Sequence, residues 1–209
     1  MSRAEQKAKT RENILATART LFIEKGFAGT SIRDVAKTAG VGIGTIHVHF
    51  KNKKELLLSC FHQVLRGAVD RGLETLDREA PLDEQLTHLG YHLYESYTRH
   101  PALSREMFMA SLFPEEEDEL LDSFLIELAN IFVQAKNRGE IRHLPAQGFR
   151  AAQGFFAAYL AILLGGLAGH FGLVEGKEAA LRWAEALQGM LRLQLVGLGA
   201  DETLLEEGS

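Results

Sequence analysis

The sequence of 209 residues contains one cysteine, four prolines and one tryptophan. The single cysteine, Cys60, rules out an intramolecular disulfide and with it the class of small secreted proteins that depend on disulfides. The first residues also lack the apolar core of a secretory signal peptide, which favours a cytoplasmic protein. An apolar content of 46% is nevertheless enough for a sizeable buried core.

The chain also lacks a convincing strand pattern, because its apolar residues recur at the helical spacing of three and four. Ile14, Ala18 and Leu21 share one helical face, for example, and Gly26 follows that segment. Proline stands where four further segments begin, as the first turn of a helix allows: Pro81, Pro101, Pro114 and Pro145. The pattern predicts an all-α fold of about nine helices.

Charge is distributed unevenly along the chain, although the net charge is only −5. Residues 1–54 contain eleven Lys or Arg and four acidic residues, whereas residues 55–209 contain twelve basic and 24 acidic residues. The first part is therefore a basic head with net charge +7, and the second an acidic body with net charge −12. This asymmetry predicts that the head meets a polyanion while the body stays in solution.

The segment Gly40–Leu56, GVGIGTIHVHFKNKKEL, contains three glycines and two histidines. Its glycines are spaced Gly-x-Gly-x-Gly after a predicted helix and no Gly-Lys-Ser/Thr follows them, so they form neither a dinucleotide fingerprint nor a phosphate-binding loop. His47 and His49 lie about 200° apart around a helix and cannot hold one metal ion together. The segment therefore predicts neither a phosphate loop nor a metal site.

A second histidine pair leaves a metal-dependent helical enzyme open as the alternative function. His88 and His92 are one helical turn apart, and Glu95 follows one turn later. Two histidines and a carboxylate are a common metal-ligand set, but a partly exposed polar helix face is the simpler interpretation. Elsewhere no nucleophile motif or paired carboxylates occur, and Cys60 and His62 project from different helix faces. The main prediction is therefore a protein that is not an enzyme and has no cofactor.

Residues 31–50 predict a helix, a tight turn and a second helix. Ser31 followed by Asp34 is typical of a capping box, and Gly40 can adopt the left-handed conformation that ends a helix. Two helices that cross closely need a small residue on the first and an apolar residue behind the second, which Ala36 and Ile46 supply. Basic residues flank this unit on both sides, so a helix-turn-helix that binds DNA is indicated.

The stretch GFAGTSIRDVAKTAGVGIGTIHVHFKNKKEL resembles the tetracycline-repressor (TetR) family over about residues 10–57. The resemblance implies a homodimer that binds a palindromic double-stranded DNA operator, with residues 1–54 as DNA-binding domain and residues 55–209 as ligand-binding and dimerisation domain. It further implies a regulator, most often a repressor, that a small-molecule effector releases. By position in the motif it implies phosphate contacts by Thr30, Arg33 and Lys53, and an approach to base edges by Gly44 and Thr45. His47 and His49 are predicted to be hydrogen-bond donors on the DNA-facing helix.

The most apolar segment, Gly154–Gly169, raises the question of a membrane span. Sixteen helical residues extend only about 24 Å, less than the roughly 30 Å of a bilayer core, so a buried helix is predicted and no membrane partner. With the final apolar segment, Ala184–Leu198, it is predicted to form a dimer seam, and packing within one chain stays the alternative.

Aromatic residues in the body are numerous enough to line an apolar cavity. A hydrophobic or acyl-bearing effector is the prediction, although aromatic residues at helical spacing also serve as ordinary core. The candidate ligand-binding residues are Phe108, Phe124, Phe155 and Tyr159.

Overall fold

The computed structural model describes residues 2–111, 119–169 and 178–200. In these ranges the chain forms nine α-helices, one short 3-10 helix at Pro145–Gly148, and no strand. The all-α prediction is confirmed, and Pro81, Pro101 and Pro145 do lie at or next to helix starts; Pro114 lies outside the described residues. The helices are α1 (Arg3–Lys25), α2 (Ile32–Ala39), α3 (Ile43–His49), α4 (Lys53–Glu74), α5 (Leu82–Thr98), α6 (Pro101–Ser111), α7 (Glu119–Arg138), α8 (Phe149–Leu167) and α9 (Ala179–Gly197).

The chain divides into two compact units. The head unit comprises Met1–Gly67 and Arg99–Glu116, and the body unit comprises Ala68–Thr98 and Glu117–Ser209. Helix α4 therefore contributes its first part to the head unit and its last part to the body unit. The boundary predicted from the sequence, between a DNA-binding domain (1–54) and a ligand-binding and dimerisation domain (55–209), concerns function and stays a prediction.

The core of the head unit is built on one face of α1. Its buried residues follow the helical spacing of three and four and are Ile14, Leu15, Ala18, Leu21 and Phe22. The thiol of Cys60 lies 3.6 Å from the carbonyl oxygen of Leu15, and burial raises the pKa of Cys60 to about 12. A thiol with so high a pKa is not a nucleophile at neutral pH, so Cys60 serves as a small core residue.

In the body unit, α8 packs between α7 and α9, and α5 packs against α9. Gly90 makes the contact between α5 and α9 possible, because a Cβ atom there would lie 2.8 Å from Leu187 Cδ2 and 3.1 Å from the Trp183 ring. Both Trp183 and Leu187 are fully buried. The close approach of α5 thus places an aromatic ring of α9 in the centre of the body unit.

Among the described helices, α8 is the one that is long and apolar enough to cross a membrane. Half of its most apolar stretch is buried inside the body unit by packing against α7 and α9. The core helix of a water-soluble protein has the same length and composition, so this single helix is weak support for a membrane span.

Helices α8 and α9 each carry a row of mostly small and apolar exposed residues, which we call the α8–α9 stripe; on α9 the exposed Glu185 lies in the same row, between Leu181 and Gly189. Its largest members are Leu164, Leu181 and Leu193, which are 37%, 60% and 68% exposed. The remaining members are Ala157, Ala161, Ala168, Gly189 and Gly197. On α8, Ala157 points outward, whereas the neighbouring Ala158 is buried in the core.

Candidate nucleic-acid interface and effector site

Local hydrogen bonds fix both ends of α2. The Ser31 hydroxyl accepts a bond from the Asp34 amide (3.1 Å), and the Asp34 carboxylate accepts one from the Ser31 amide (2.9 Å). The Ser31 hydroxyl also donates to the Asp34 carboxylate, and this bond, followed by the bond from the Ser31 amide, lowers the pKa of Asp34. At the other end Gly40 has φ +69°, and the amides of Gly40 and Val41 donate to the carbonyls of Lys37 and Ala36. The capping box and the glycine turn predicted from the sequence are both present.

One face of α3 is fixed in the head core and the other is open. Ile46 and Phe50 are buried, and the Arg11 guanidinium lies 5.0 Å from the centre of the Phe50 ring. The open face consists of Ile43, Gly44, His47 and Val48, of which Val48 is 70% exposed. Helix α3 therefore presents a surface that the head unit itself does not use.

Lys53 is directed inward at the start of α4. Its ammonium donates to the carbonyls of Phe27 (2.8 Å) and Thr30 (3.0 Å) and lies 4.2 Å from the centre of the Phe27 ring. An ammonium has three N–H donors, so one of them is left for a phosphate. The two carbonyl bonds show that Lys53 also holds the turn between α1 and α2.

Thr30 is 2% exposed, and its hydroxyl points toward the carbonyls of Leu21 (3.1 Å) and Gly26 (2.9 Å). Its amide donates to the carbonyl of Phe27. Both donors of Thr30 are thus directed to carbonyls of the chain in this structure. The predicted phosphate contact of Thr30 stays untested, and the structure shows instead how Thr30 shapes the loop before α2.

Arg33 and Thr45 lie at the first turns of α2 and α3. Arg33 is exposed on the second residue of α2, while Thr45 is half-buried in α3. Gly44 precedes Thr45 and has no heavy atom within 4 Å of the position where a Cβ would stand. Packing within the chain therefore does not explain why a glycine, a poor helix former, occupies position 44.

The two histidines of α3 lie in different environments. His47 is exposed, whereas His49 is half-buried beside Phe50, with ring centres 6.2 Å apart. Burial and then the positive charges of Lys7 and Arg11 lower the pKa of His49. His47 thus belongs to the open face of α3, and His49 is at its edge.

The sequence-based list did not include Ile43 and Val48, the two apolar residues of the open face. Both are large side chains exposed to solvent, at 41% and 70%. Apolar side chains on a DNA-reading helix can contact the methyl group of thymine. Helical spacing could have identified them, because residues 43, 44, 47 and 48 share one face of the helix, whereas Ile46 faces the core.

The basic residues at positions 7–11 lie in the second and third turns of α1. Helix α1 begins at Arg3 behind a capping box formed by Ser2 and Glu5. Lys7, Lys9 and Arg11 are all exposed on this helix. Their charges are therefore held on a regular scaffold in the head unit.

His88 and His92 both lie within hydrogen-bond distance of the Thr75 hydroxyl group. Their Nε2 atoms lie 2.9 Å and 3.4 Å from Thr75 Oγ1, and that hydroxyl donates to the carbonyl of Arg71. Burial, His88 and Arg71 lower the pKa of His92. Within residues 2–111, 119–169 and 178–200, no group of three His, Cys, Asp or Glu is placed to hold a metal ion, so Glu95 does not complete a site.

The aromatic residues of the body unit form one connected group, which we call the aromatic cluster. Tyr94 stacks on Trp183 (4.6 Å between ring centres), and the Tyr159 ring meets Trp183 edge to face at 5.9 Å. The other members are Phe124, Phe155 and Phe156. Three of the four predicted ligand-binding residues thus lie in one cluster, whereas the fourth, Phe108, is buried in α6 of the head unit.

Two fully buried members of the aromatic cluster, Tyr159 and Trp183, each carry one polar side-chain atom. The Tyr159 hydroxyl and the Trp183 indole N–H make no hydrogen bond within the described part of the chain. A buried polar group left without a partner costs roughly 1–3 kcal/mol. The sequence list missed Trp183 and Tyr94, because their place in the cluster depends on the packing of α5 against α9.

The capped α2, the glycine turn and the exposed α3 define a helix-turn-helix DNA-binding protein. A sequence profile described as "Bacterial regulatory proteins, tetR family" matches residues 14–60. The regulator EthR of Mycobacterium tuberculosis is 31% identical over 148 residues, which cover 66% of this chain and 68% of EthR. The chain belongs to the TetR family of bacterial transcriptional regulators.

Solved structures of the family share the whole fold. A TetR-family regulator of Pectobacterium atrosepticum is 22% identical with a TM-score of 0.69, over 95% of this chain and 97% of the other. FadR of Thermus thermophilus, a TetR-family repressor solved with lauroyl-CoA, is 25% identical with a TM-score of 0.66, over 90% and 94%. Three further curated relatives match over only 28% to 66% of their length.

Proposed function

We propose that this regulator is a repressor that binds a palindromic operator as a homodimer and is released by an apolar effector. In this proposal residues 1–54 bind DNA, residues 55–209 bind the effector and dimerise, and the protein acts in the cytoplasm. The observation that carries it is the open face of α3, which is exposed on a head unit whose core and helix ends are complete.

The open face of α3 is suited to a major groove, which admits one helix. Gly44 leaves room for a close approach to the base edges, and His47 can donate to a phosphate or base edge. Arg33 and the third N–H of Lys53 supply phosphate contacts on either side. In this proposal Thr45, next to Gly44, contacts the base edges, His49 lies at the edge of the interface, and Thr30 shapes the loop that leads into α2.

The α8–α9 stripe supports the homodimer. Leu181 and Leu193 are more than half exposed, and small residues beside them allow another backbone to approach. A two-fold interface brings the same surface of two subunits together, so two such stripes would cover each other. Two heads held in this way would bind half-sites about one helical turn, or a multiple of it, apart.

The effector part of the proposal rests on the aromatic cluster. Phe124, Phe155 and Tyr159 provide a buried apolar environment, which suits an acyl chain. The Thermus thermophilus relative is a repressor solved with lauroyl-CoA, and this similarity favours the same class of effector here.

The test is selection of operator duplexes from random DNA by the full-length protein, followed by fluorescence anisotropy. The proposal predicts an enriched palindrome, two protomers on each duplex, and a steep fall in affinity with salt. Lauroyl-CoA should then release the labelled duplex. Recovery of no enriched sequence would contradict the DNA-binding part, and a complex that is indifferent to acyl-CoA of every chain length would contradict the effector part.

A further inference from the structure

Five buried polar side-chain atoms lack a hydrogen-bond partner within the described part of the chain, and all five lie in the body unit: Gln85 Oε1, Thr87 Oγ1, His92 Nδ1, Tyr159 OH and Trp183 Nε1. Only Tyr159 and Trp183 are both fully buried and in contact with each other. Native proteins pair the large majority of buried polar groups, so two exceptions on side chains whose rings are in contact call for a physical reason.

The surroundings of the two donors are apolar and aromatic. Tyr159 touches the rings of Phe155 and Phe156, with ring centres 6.4 Å and 6.5 Å away, and Trp183 is stacked on Tyr94. The N–H of tryptophan can only donate, whereas a tyrosine hydroxyl can donate or accept. A ligand that satisfies both groups must therefore bring an acceptor atom into an apolar site.

Burial raises the pKa of Tyr159 well above its usual value of 10, and the neighbouring Tyr97 and Tyr94 act in the same direction. The hydroxyl consequently keeps its proton and stays a donor at neutral pH. A carbonyl oxygen is a strong acceptor without charge, which makes it compatible with so dry a site.

We infer that Tyr159 and Trp183 are the polar end of the effector site and donate hydrogen bonds to the carbonyl oxygen of an acyl ligand whose chain lies among the aromatic rings. This inference rests on the proposed effector response. It adds the chemical group that is recognised and the two donors that recognise it.

Two ligands that differ only at the carbonyl test the inference: lauroyl-CoA, a thioester, and S-dodecyl-CoA, the matching thioether. Trp183 is the one tryptophan of the chain, so its fluorescence reports binding to the full-length protein directly. We expect lauroyl-CoA to bind about tenfold more tightly, the difference that a buried hydrogen bond commonly makes. Equal affinities would overturn the inference and leave the effector proposal standing, whereas failure of both ligands to bind would overturn both.

Tyr159→Phe removes the hydroxyl and keeps the ring. It should reduce the preference for the thioester, because Trp183 is then the one remaining donor to the carbonyl, while leaving S-dodecyl-CoA affinity within about twofold, and the unliganded variant should melt no lower than the parent. Tyr91→Phe is the matched control, because Tyr91 is 44% exposed and its hydroxyl can bond to water. A Tyr159→Phe variant that keeps the full preference, or that melts well below the parent, would show that the hydroxyl has a structural partner and would overturn the inference.

A third titration with laurate identifies the source of the carbonyl. Binding of laurate as tight as that of lauroyl-CoA, and weakened in Tyr159→Phe, assigns the site to a free fatty acid; tighter binding of lauroyl-CoA assigns it to the thioester. Laurate binding that Tyr159→Phe leaves unchanged would count against the role of this donor.

Discussion

The head unit and the body unit differ in how completely they satisfy their own buried polar groups. In the head unit, the buried Thr30 is hydrogen-bonded, α1 and α2 are capped, and Lys53 holds two carbonyls. The described body residues instead include five buried polar atoms without a partner and the exposed α8–α9 stripe. A head unit whose buried polar groups are already paired suits a rigid DNA-binding surface. Unpaired buried polar groups and an exposed apolar stripe suit a body unit that binds a ligand and a second subunit.

The largest effect is expected from breaking the α8–α9 stripe. Leu181→Glu with Leu193→Glu would place four carboxylates in a two-fold apolar interface, so the dimer should dissociate. Loss of the second head should weaken operator binding about 100-fold or more, because the two half-sites are then bound independently. Sedimentation velocity and anisotropy measure the two results.

Ile126→Glu is the control for the stripe, since Ile126 is 55% exposed but lies on α7. It should leave both the dimer and the operator affinity unchanged. If the doubly substituted protein still forms a dimer, the subunit interface does not lie on α8 and α9.

The second prediction separates support from contact within the head unit. Lys53→Met removes two carbonyl bonds and the contact with the Phe27 ring, and should cost about 2 kcal/mol of unfolding free energy. Arg33→Ala, at an exposed position, should change stability by less than about 0.5 kcal/mol but reduce the salt dependence of operator binding by about one phosphate contact.

Urea unfolding and anisotropy at several salt concentrations distinguish the two variants. Equal stability of the parent and Lys53→Met would mean that the inward bonds of Lys53 are not formed in solution. An unchanged salt slope for Arg33→Ala would remove Arg33 from the phosphate contacts.

The third prediction concerns Gly44, where stability and binding should change in opposite directions. Alanine at this open helical position should stabilise the free head by about 0.5–1 kcal/mol, because glycine is the poorer helix former and nothing lies within 4 Å of the new methyl group. The same methyl group should obstruct the approach of DNA and weaken operator binding. A variant that is more stable and binds with unchanged affinity would place the DNA elsewhere.

The smallest effect is expected from pH. Lys7 and Arg11 face His49 and help burial to lower its pKa, so the free head carries a neutral His49 at pH 7. DNA phosphates favour the protonated form, so operator affinity should rise modestly between pH 8 and pH 6. Comparison of parent, His47→Phe and His49→Phe by anisotropy identifies the residue responsible, and identical pH profiles would mean that neither histidine responds to DNA.

Acidic pH has the opposite effect on the folding stability of the free protein, which should fall as His49 is protonated. Because the pKa of His49 in the folded head lies below its unfolded value of about 6.5, the unfolded chain takes up a proton first as the pH falls. The contribution of neutral His49 to folding stability is therefore present above about pH 6.5 and is lost progressively as the pH falls below it. His49→Phe should reduce this acid sensitivity, which urea unfolding at pH 7.5 and pH 5.5 would measure.

Features set by neighbouring residues were predictable from the sequence. Ser31 with Asp34 and the left-handed Gly40 form the caps that their spacing indicated, because each depends on atoms within four residues. The core positions of α1 followed in the same way from helical periodicity.

Features set by distant residues were not predictable. Lys53 bonds to carbonyls 26 and 23 residues away, so a motif position that suggested a phosphate contact could not reveal its inward direction. Likewise the contact between Tyr159 and Trp183 depends on how α8 packs against α9, and the spacing of apolar residues along each helix does not determine that packing. The residues of the candidate effector site were therefore found only in part.

Native mass spectrometry of the protein on its selected operator duplex, with lauroyl-CoA added stepwise, tests the central claim most directly. The two-region account predicts two protomers on one duplex without the ligand, and a ligand-bound dimer free of DNA once each protomer carries lauroyl-CoA. A single protomer on the duplex, or a complex that keeps its DNA while each protomer holds the ligand, would contradict it.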